Sequence, residues 1–412
     1  MMMLNQTENL DDSCDQIRQT IRILNITIPL IWVVLGTVTN GLSLVVFSRK
    51  SMRHNSTFFY LYLMTLSDFI VIWVGSFRDF LAYKFHVYIS GTLICRLHVF
   101  TFFVSCQLSS WLLTVANLDR FFSVLSFSKS KKWCNRKVAS KIFIILFVSL
   151  ALINAHFLVF LSSEESSDPS ALEHNINPIV YPHCKTSPGF YTYFYANYYS
   201  WIDSFVFSFV PFFIMLICNI GLVAKVFRSK QNLNRHGLRT AQMRRESSKK
   251  SFKDKELDKM RYMALTIIGV TLLFIVFTVP INIYNPIMHA EAVSNPEKKM
   301  KKCDDLIFCI LNNTVNANHS TSFFIYLTTN SKFKKEIKIM LKRAKHAMFG
   351  NFSFVCCGFK LMQSGPPKQA KNLDASITST LMNTFEYTKE KSTNNKACVL
   401  ESHEMQKISC GV

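Results

Sequence analysis

Seven blocks of apolar residues, each roughly as long as a helix needs to cross a ~30 Å hydrocarbon layer, restrict this chain more than any other feature. They fall at about 23–47, 58–80, 93–125, 138–161, 195–227, 258–288 and 304–328. Inside a bilayer no water satisfies an open backbone, so each block must be helical. Pro211 and Pro280 lie within the fifth and sixth blocks and should kink those helices instead of ending them; Pro29 lies near the outer end of the first. The expected fold is an all-α membrane protein, a seven-transmembrane-helix bundle over residues 23–328.

Composition agrees with that reading and excludes others. Apolar residues make up 49% of the 412 and charged residues only 18%, against about a quarter in soluble proteins. The 37 Phe exceed what one soluble core needs. A net charge of +21 raises the question of nucleic acid, but most of the 47 Lys and Arg lie on one side of the expected membrane. Arg49, Lys50 and Arg53 follow the first block, and Lys129, Lys131, Lys132, Arg136 and Lys137 follow the third. The linker 225–261 carries 13 basic residues and the segment from Asn330 carries 14, whereas Glu164, Glu165, Asp168 and Glu173 lie on the opposite side. Such bias follows the positive-inside rule, with the short loops carrying the argument. It predicts a multi-pass plasma-membrane protein with its N-terminus outside and its C-terminus inside, and no nucleic-acid partner.

The flanks divide further. Residues 1–22 are polar and acidic, without the apolar core of a cleavable signal, and read as an extracellular tail. Residues about 229–251 are basic and free of apolar periodicity, which predicts a mobile inner loop. Residues 329–350 alternate basic and apolar side chains at helical spacing. Phe333, Ile337, Met340 and Leu341 can lie in the membrane surface while Lys335, Lys338 and Lys342 meet lipid phosphates; a solvated amphipathic helix is the other reading. The tail 351–412 is rich in Ser, Thr, Lys and Asn and reads as disordered.

The blocks also hold residues that a plain anchor does not need. The second has Leu66-Ser67-Asp68, a carboxylate inside apolar sequence, which is costly in a membrane and usually functional. The third ends in Leu118-Asp119-Arg120-Phe121, the sixth has Phe274 ahead of Pro280, and the seventh closes with Ser322-Phe323-Phe324-Ile325-Tyr326. With Asn40-Gly41 in the first, this order resembles the rhodopsin-like (class A) G-protein-coupled receptors over residues 23–347. There are departures: Phe121 where Tyr is usual, no Trp in the fourth block, Phe277-Thr278-Val279-Pro280, and Ser322-Phe323 where Asn-Pro is usual. The acid that often pairs with the arginine falls here on Met260. The run Asn318-His319-Ser320, the Phe323-Phe324-Ile325-Tyr326 that follows and Lys332-Phe333-Lys334-Lys335-Glu336 are similar to invertebrate FMRFamide-type neuropeptide receptors.

The resemblance implies a receptor that binds an extracellular ligand and activates a heterotrimeric G protein, with receptor kinase, arrestin and membrane lipids as further partners. It implies a disulfide between Cys95, 25 positions before Arg120, and Cys184 in the second outer loop, on the oxidising side. It assigns Asp119, Arg120 and Tyr326 to G-protein coupling, Arg120 swapping partners when helix six moves. Asp68, Ser109, Asn318 and Ser322 match a sodium site, since oxygen ligands suit a hard ion; a hydrogen-bonded or protonated Asp68 is the other reading, and no further cofactor is implied. Phe102 stands where amine receptors carry Asp, and the seventh block has no lysine, which argues against amine and retinal ligands. The expected pocket takes in Arg78, Asp79, Phe102, Phe103, Asp203, Asn282, Asn285, Asn312 and Asn316, suited to a short, amidated, RFamide-like peptide; Asp203 can instead pair with another helix.

Expected modifications are N-glycosylation at Asn5 and palmitoylation at Cys356 and Cys357, with Cys14–Cys303 as a second possible disulfide. The sequons at Asn55 and Asn351 fall on the inner side, and Arg244-Arg245-Glu246-Ser247 resembles a kinase site. No nucleophile–base pair or phosphate-cradling loop supports an enzyme. The rival readings are a seven-helix channel or transporter, which often shows a repeated half that is not seen here, and a receptor that has lost G-protein coupling.

Overall fold

The structure is a computed structural model that describes the backbone of residues 2–87, 91–125, 132–163, 184–240, 247–294 and 302–345. Side chains are described within these ranges except at 2–15, 226, 229–230, 232–240, 247–263, 292–294 and 302–305. Helix α1 is Met2–Phe47, α2 Ser56–Phe85, α3 Thr92–Leu125 and α4 Arg136–Phe160, the last broken by a turn at Ala155-His156. Helix α5 is built from Phe190–Phe194, Tyr195–Tyr199, Ser200–Ser204, Phe205–Phe209 and Val210–Thr240. Helix α6 is Ser247–Ser294, α7 Lys302–Thr329, and residues 331–345 form α8. Strands β1 (Leu161–Ser163) and β2 (Cys184–Thr186) pair antiparallel, with Ser163 opposite Cys184.

Three differences from the expected boundaries have physical causes. Helix α1 runs back to Met2, because nothing between there and Pro29 is a helix breaker. The 229–251 stretch is helical at both ends, since α5 continues to Thr240 and α6 begins at Ser247; residues 241–246 lie outside the described ones. Helix α2 continues past Phe80 to Phe85 through a π-helical turn, Ile72–Ser76, and α5 has two such turns, Tyr195–Tyr199 and Phe205–Phe209. A π turn carries one extra residue and turns everything beyond it around the helix axis.

Six helices are long and apolar enough to cross a membrane among the described residues. Helix α7 is the exception, because it brings Asn313, Asn316, Asn318, His319 and Ser322 into the interior. Its partners are chiefly α1 and α6, while α3 packs on α2, α4, α5 and α6 and so occupies the centre. One apolar cluster joins Phe47, Phe58, Leu112, Phe274 and Tyr326; a second joins Cys95, Phe157, Tyr195 and Tyr199 at the other end. Ile144, Ile145, Leu152, Ile217 and Ile220 remain exposed, the face a bilayer covers.

The chain divides into two units, Met1–Met340 and Leu341–Val412; the bundle is the first, and of the second only residues 341–345, helical, are described. Asn330 starts α8 by accepting the Phe333 N–H at 3.1 Å. Phe333 and Ile337 are buried, whereas Lys334, Lys335 and Lys338 are exposed, so this helix is amphipathic over its first turns. Glu336 fastens it to the α1–α2 turn through Arg49 at 2.6 Å and Ser51 at 2.7 Å.

Candidate functional site

The arginine motif sits against the first turn of α2. Asn55 caps that helix, its Oδ1 accepting the N–H groups of Thr57 (3.0 Å) and Phe58 (3.3 Å). The same oxygen accepts Arg120 Nη2 at 2.8 Å. Thr57 Oγ1 accepts from Arg120 Nε and donates to Asp119 Oδ2, while Ser56 Oγ donates to Asp119 Oδ1 at 2.8 Å. Arg120 Nη2 lies 3.6 Å from Asp119 Oδ2, and its side chain is only 12% exposed. Beside this cluster Arg136 donates to the Arg53 carbonyl and covers the Phe59 ring at 4.1 Å. Tyr326 is fully buried, edge-on to Phe47 at 5.2 Å and tilted against Phe333 at 5.6 Å.

Halfway along the bundle Asp68 is 1% exposed. Its Oδ1 accepts Ser109 Oγ at 2.5 Å and meets His319 Nδ1 at 2.7 Å. Helix α1 steadies the same stretch of α7: Asn40 Nδ2 donates to the His319 carbonyl at 2.9 Å and Thr39 Oγ1 to that of Ser320 at 2.8 Å. A small cavity, with room for about one water-sized particle, is lined by Asp68, Ser109, Ser110, Asn318 and Ser322 and closed by Met64, Leu113, Val270 and Phe274. The four expected residues are therefore together, and their oxygens fit a small hard cation such as sodium. His319 is the residue the sequence did not reveal as Asp68's partner, although it stands next to Asn318.

At the opposite end from Arg120 the Cys95–Cys184 disulfide ties β2 to α3. Arg96 adds to the anchorage, donating from Nε to the Leu161 carbonyl at 2.7 Å and from Nη2 to that of Val159 at 2.8 Å. Below lie the expected pocket residues, and they are not all alike. Arg78 pairs with its neighbour Asp79 at 2.9 Å. Asp203 Oδ1 accepts Gln107 Nε2 at 2.7 Å; Gln107 Oε1 accepts Asn154 Nδ2 at 2.7 Å, and Asn154 Oδ1 accepts the Tyr199 hydroxyl at 2.6 Å. This chain of one carboxylate and three neutral groups joins α3, α4 and α5, and nothing in the residue spacing announced it.

The aromatic candidates are engaged in packing. A Cβ on Gly75 would lie 2.6 Å from Phe102 Cε2, so the glycine in the π turn of α2 makes the space for that ring. Phe103 packs on Phe157 at 4.8 Å and on Tyr199 at 6.1 Å. Asn282 donates to the Thr278 carbonyl at 2.8 Å; Asn316 is buried, and Asn285 and Asn312 are half-buried. Nearby, His289 Nδ1 and Ser200 Oγ lie 2.7 Å apart, joining α6 to α5. The side chains of Asn5, Cys14 and Cys303, and residues 244–246, Cys356 and Cys357, lie outside the described ones.

The family described as 7 transmembrane receptor (rhodopsin family) matches residues 39–326, most of the chain, from just before Asn40-Gly41 to Tyr326. Among curated proteins none matches. A seven-helix channel or transporter would share the general architecture, but the family match separates them. The chain belongs to the rhodopsin family of seven-transmembrane receptors: a multi-pass plasma-membrane signalling protein, not an enzyme, that binds an extracellular ligand and couples to a heterotrimeric G protein.

Proposed function

We propose that the extracellular ligand is a short amidated peptide of the RFamide kind, with an Arg next to a C-terminal aromatic residue. The observation that carries this reading is the state of Asp203. It is a half-buried carboxylate held by a neutral amide, Gln107, and among the described residues no cation pairs with it. Asp79, the other acid at that end, already has Arg78. A ligand guanidinium is the complement that Asp203 lacks, and such contacts are strong when bidentate and shielded from water. Phe102 and Phe103 are packed but only half-buried, which leaves some aromatic surface for a ligand ring, and Asn312 and Asn316 suit a terminal amide.

In this reading the N-terminus is outside, and α8 lies on the inner membrane surface with its lysines toward lipid phosphates. Arg120 meets the G protein with Asp119 beside it, Tyr326 supports that end, and receptor kinase and arrestin act on the inner loops and tail. Sodium occupies the Asp68 cavity between signalling events. A panel of amidated peptides, read by calcium and cyclic AMP in cells carrying the receptor, identifies the agonist. Losing one partner of a buried charge pair costs ~2–5 kcal/mol, so Asp203→Asn should weaken an Arg-containing agonist by roughly 30-fold or more. An analogue with citrulline for Arg should lose much less. Equal losses for both peptides assign Asp203 to helix packing alone and reject the guanidinium contact.

A further inference from the structure

At the helix-six position where receptors of this family often carry an acid for the arginine, this chain has Met260. The first turn of α2 supplies acceptors for Arg120. Asn55 Oδ1 and Thr57 Oγ1 both accept from the guanidinium, and Ser56 and Thr57 hold the neighbouring carboxylate. We infer that Asn55, Ser56 and Thr57 form the clamp that keeps Arg120 from the G protein until the receptor is activated, with Asn55 and Thr57 as its positioning residues. This rests on Arg120 being the coupling residue, as proposed above.

The arrangement is suited to letting go. Asn55 Oδ1 serves three donors at once, the N–H groups of Thr57 and Phe58 and the Nη2 of Arg120. An amide oxygen has two lone pairs, so when the arginine leaves, the cap still satisfies that oxygen and no buried acceptor is orphaned. Asp119 is equally provided for, since Ser56 and Thr57 still donate to its two oxygens. The turn is thus a permanent socket for Asp119 and a temporary seat for Arg120. Release loses the arginine's own bonds and little else, which is what a two-state element needs.

The test separates capping from clamping. Asn55→Ser keeps a good N-cap, but its side chain is too short to reach Arg120 as well. Thr57→Val removes the hydroxyl and nearly keeps the shape, whereas Thr57→Ser retains the hydroxyl. Full-length receptor at matched surface level is assayed in membranes, without agonist, for guanine-nucleotide exchange on a panel of purified heterotrimers. Asn55→Ser and Thr57→Val should each raise basal exchange by about tenfold or more, the effect of one charge-assisted hydrogen bond. Thr57→Ser should reverse most of the rise seen in Thr57→Val, and adding Arg120→Ala to either activated variant should abolish it. Unchanged basal exchange in both Asn55→Ser and Thr57→Val overturns the clamp and leaves the role of Arg120 to be judged on agonist response. A rise that survives Arg120→Ala overturns the coupling role itself.

Discussion

His319 Nδ1 lies 2.7 Å from Asp68 Oδ1, joining α7 to α2 at the middle of the bundle where both side chains are buried. A carboxylate in that place has room for about one water beside it at most, so its protein donors largely determine its cost. His319→Ala removes one donor from a buried acceptor, a loss of about 1–3 kcal/mol or more. The thermal midpoint of the purified receptor should fall by several degrees, and Asp68→Asn in the same chain should restore part of it. Replacing sodium chloride by choline chloride should also lower the midpoint of the unaltered receptor but not of Asp68→Asn. The same response in both would place sodium elsewhere.

Cys95 and Cys184 form one covalent tie between α3 and β2. Changing either to Ser breaks the same bond, so Cys95→Ser, Cys184→Ser and the double variant should lower surface level and ligand response equally. Losses that add in the double variant would mean that the two thiols act separately.

The charge bias of the short loops sets the orientation. A tag placed ahead of Asn5 should be labelled on intact cells, and one placed after Val412 only once the cells are permeabilised. The opposite labelling pattern would sink this topology and, with it, the outside position of Asp203.

Cys134, between α3 and α4, donates from Sγ to the Asp119 carbonyl at 3.4 Å. Burial pushes its thiol above the ordinary cysteine value, and the nearby Asp119 charge acts in the same direction. A raised value means little thiolate at neutral pH, and the thiolate is the reactive form. Maleimide should therefore label Cys134 slowly at pH 7 and faster as pH rises past 9, in a background where the other accessible thiols are replaced. Rapid labelling at pH 7 would show that the thiol is not shielded as described.

What a chain order can reveal is what recurs along it. The membrane blocks were legible because apolarity is a property of consecutive residues, and six helices fall where those blocks lie. The pair Cys95 and Cys184, and the adjacency of Asp119 and Arg120, were legible through motifs. The contacts of Asn55 with Arg120, Gln107 with Asp203 and Asp68 with His319 were not. Their partners are 65, 96 and 251 residues apart, and helical periodicity tells which face a residue occupies but not which neighbour meets that face. Asn55-Ser56-Thr57 ahead of an apolar run carries a helix-start pattern as well as a glycosylation sequon, so the cap, unlike its arginine partner, does leave a mark in the sequence. The π turns left no mark, because they depend on how α2 and α5 seat against their neighbours.

Those turns have a bearing on how α5 can move. Each stores a residue that an ordinary α-helix of the same length would not hold, and there are two, on either side of Ser200–Ser204. The segment that carries Asp203 is therefore indexed separately from the α5 residues on both sides of it. Shifting one stored residue along the helix would turn that segment by about a quarter of a revolution, since successive α-helical residues are ~100° apart. Neither end of α5 would need to slide. Asp203 could thus be dialled toward or away from Gln107 while the long inner part, Val210–Thr240, kept its phase against α3 and α6.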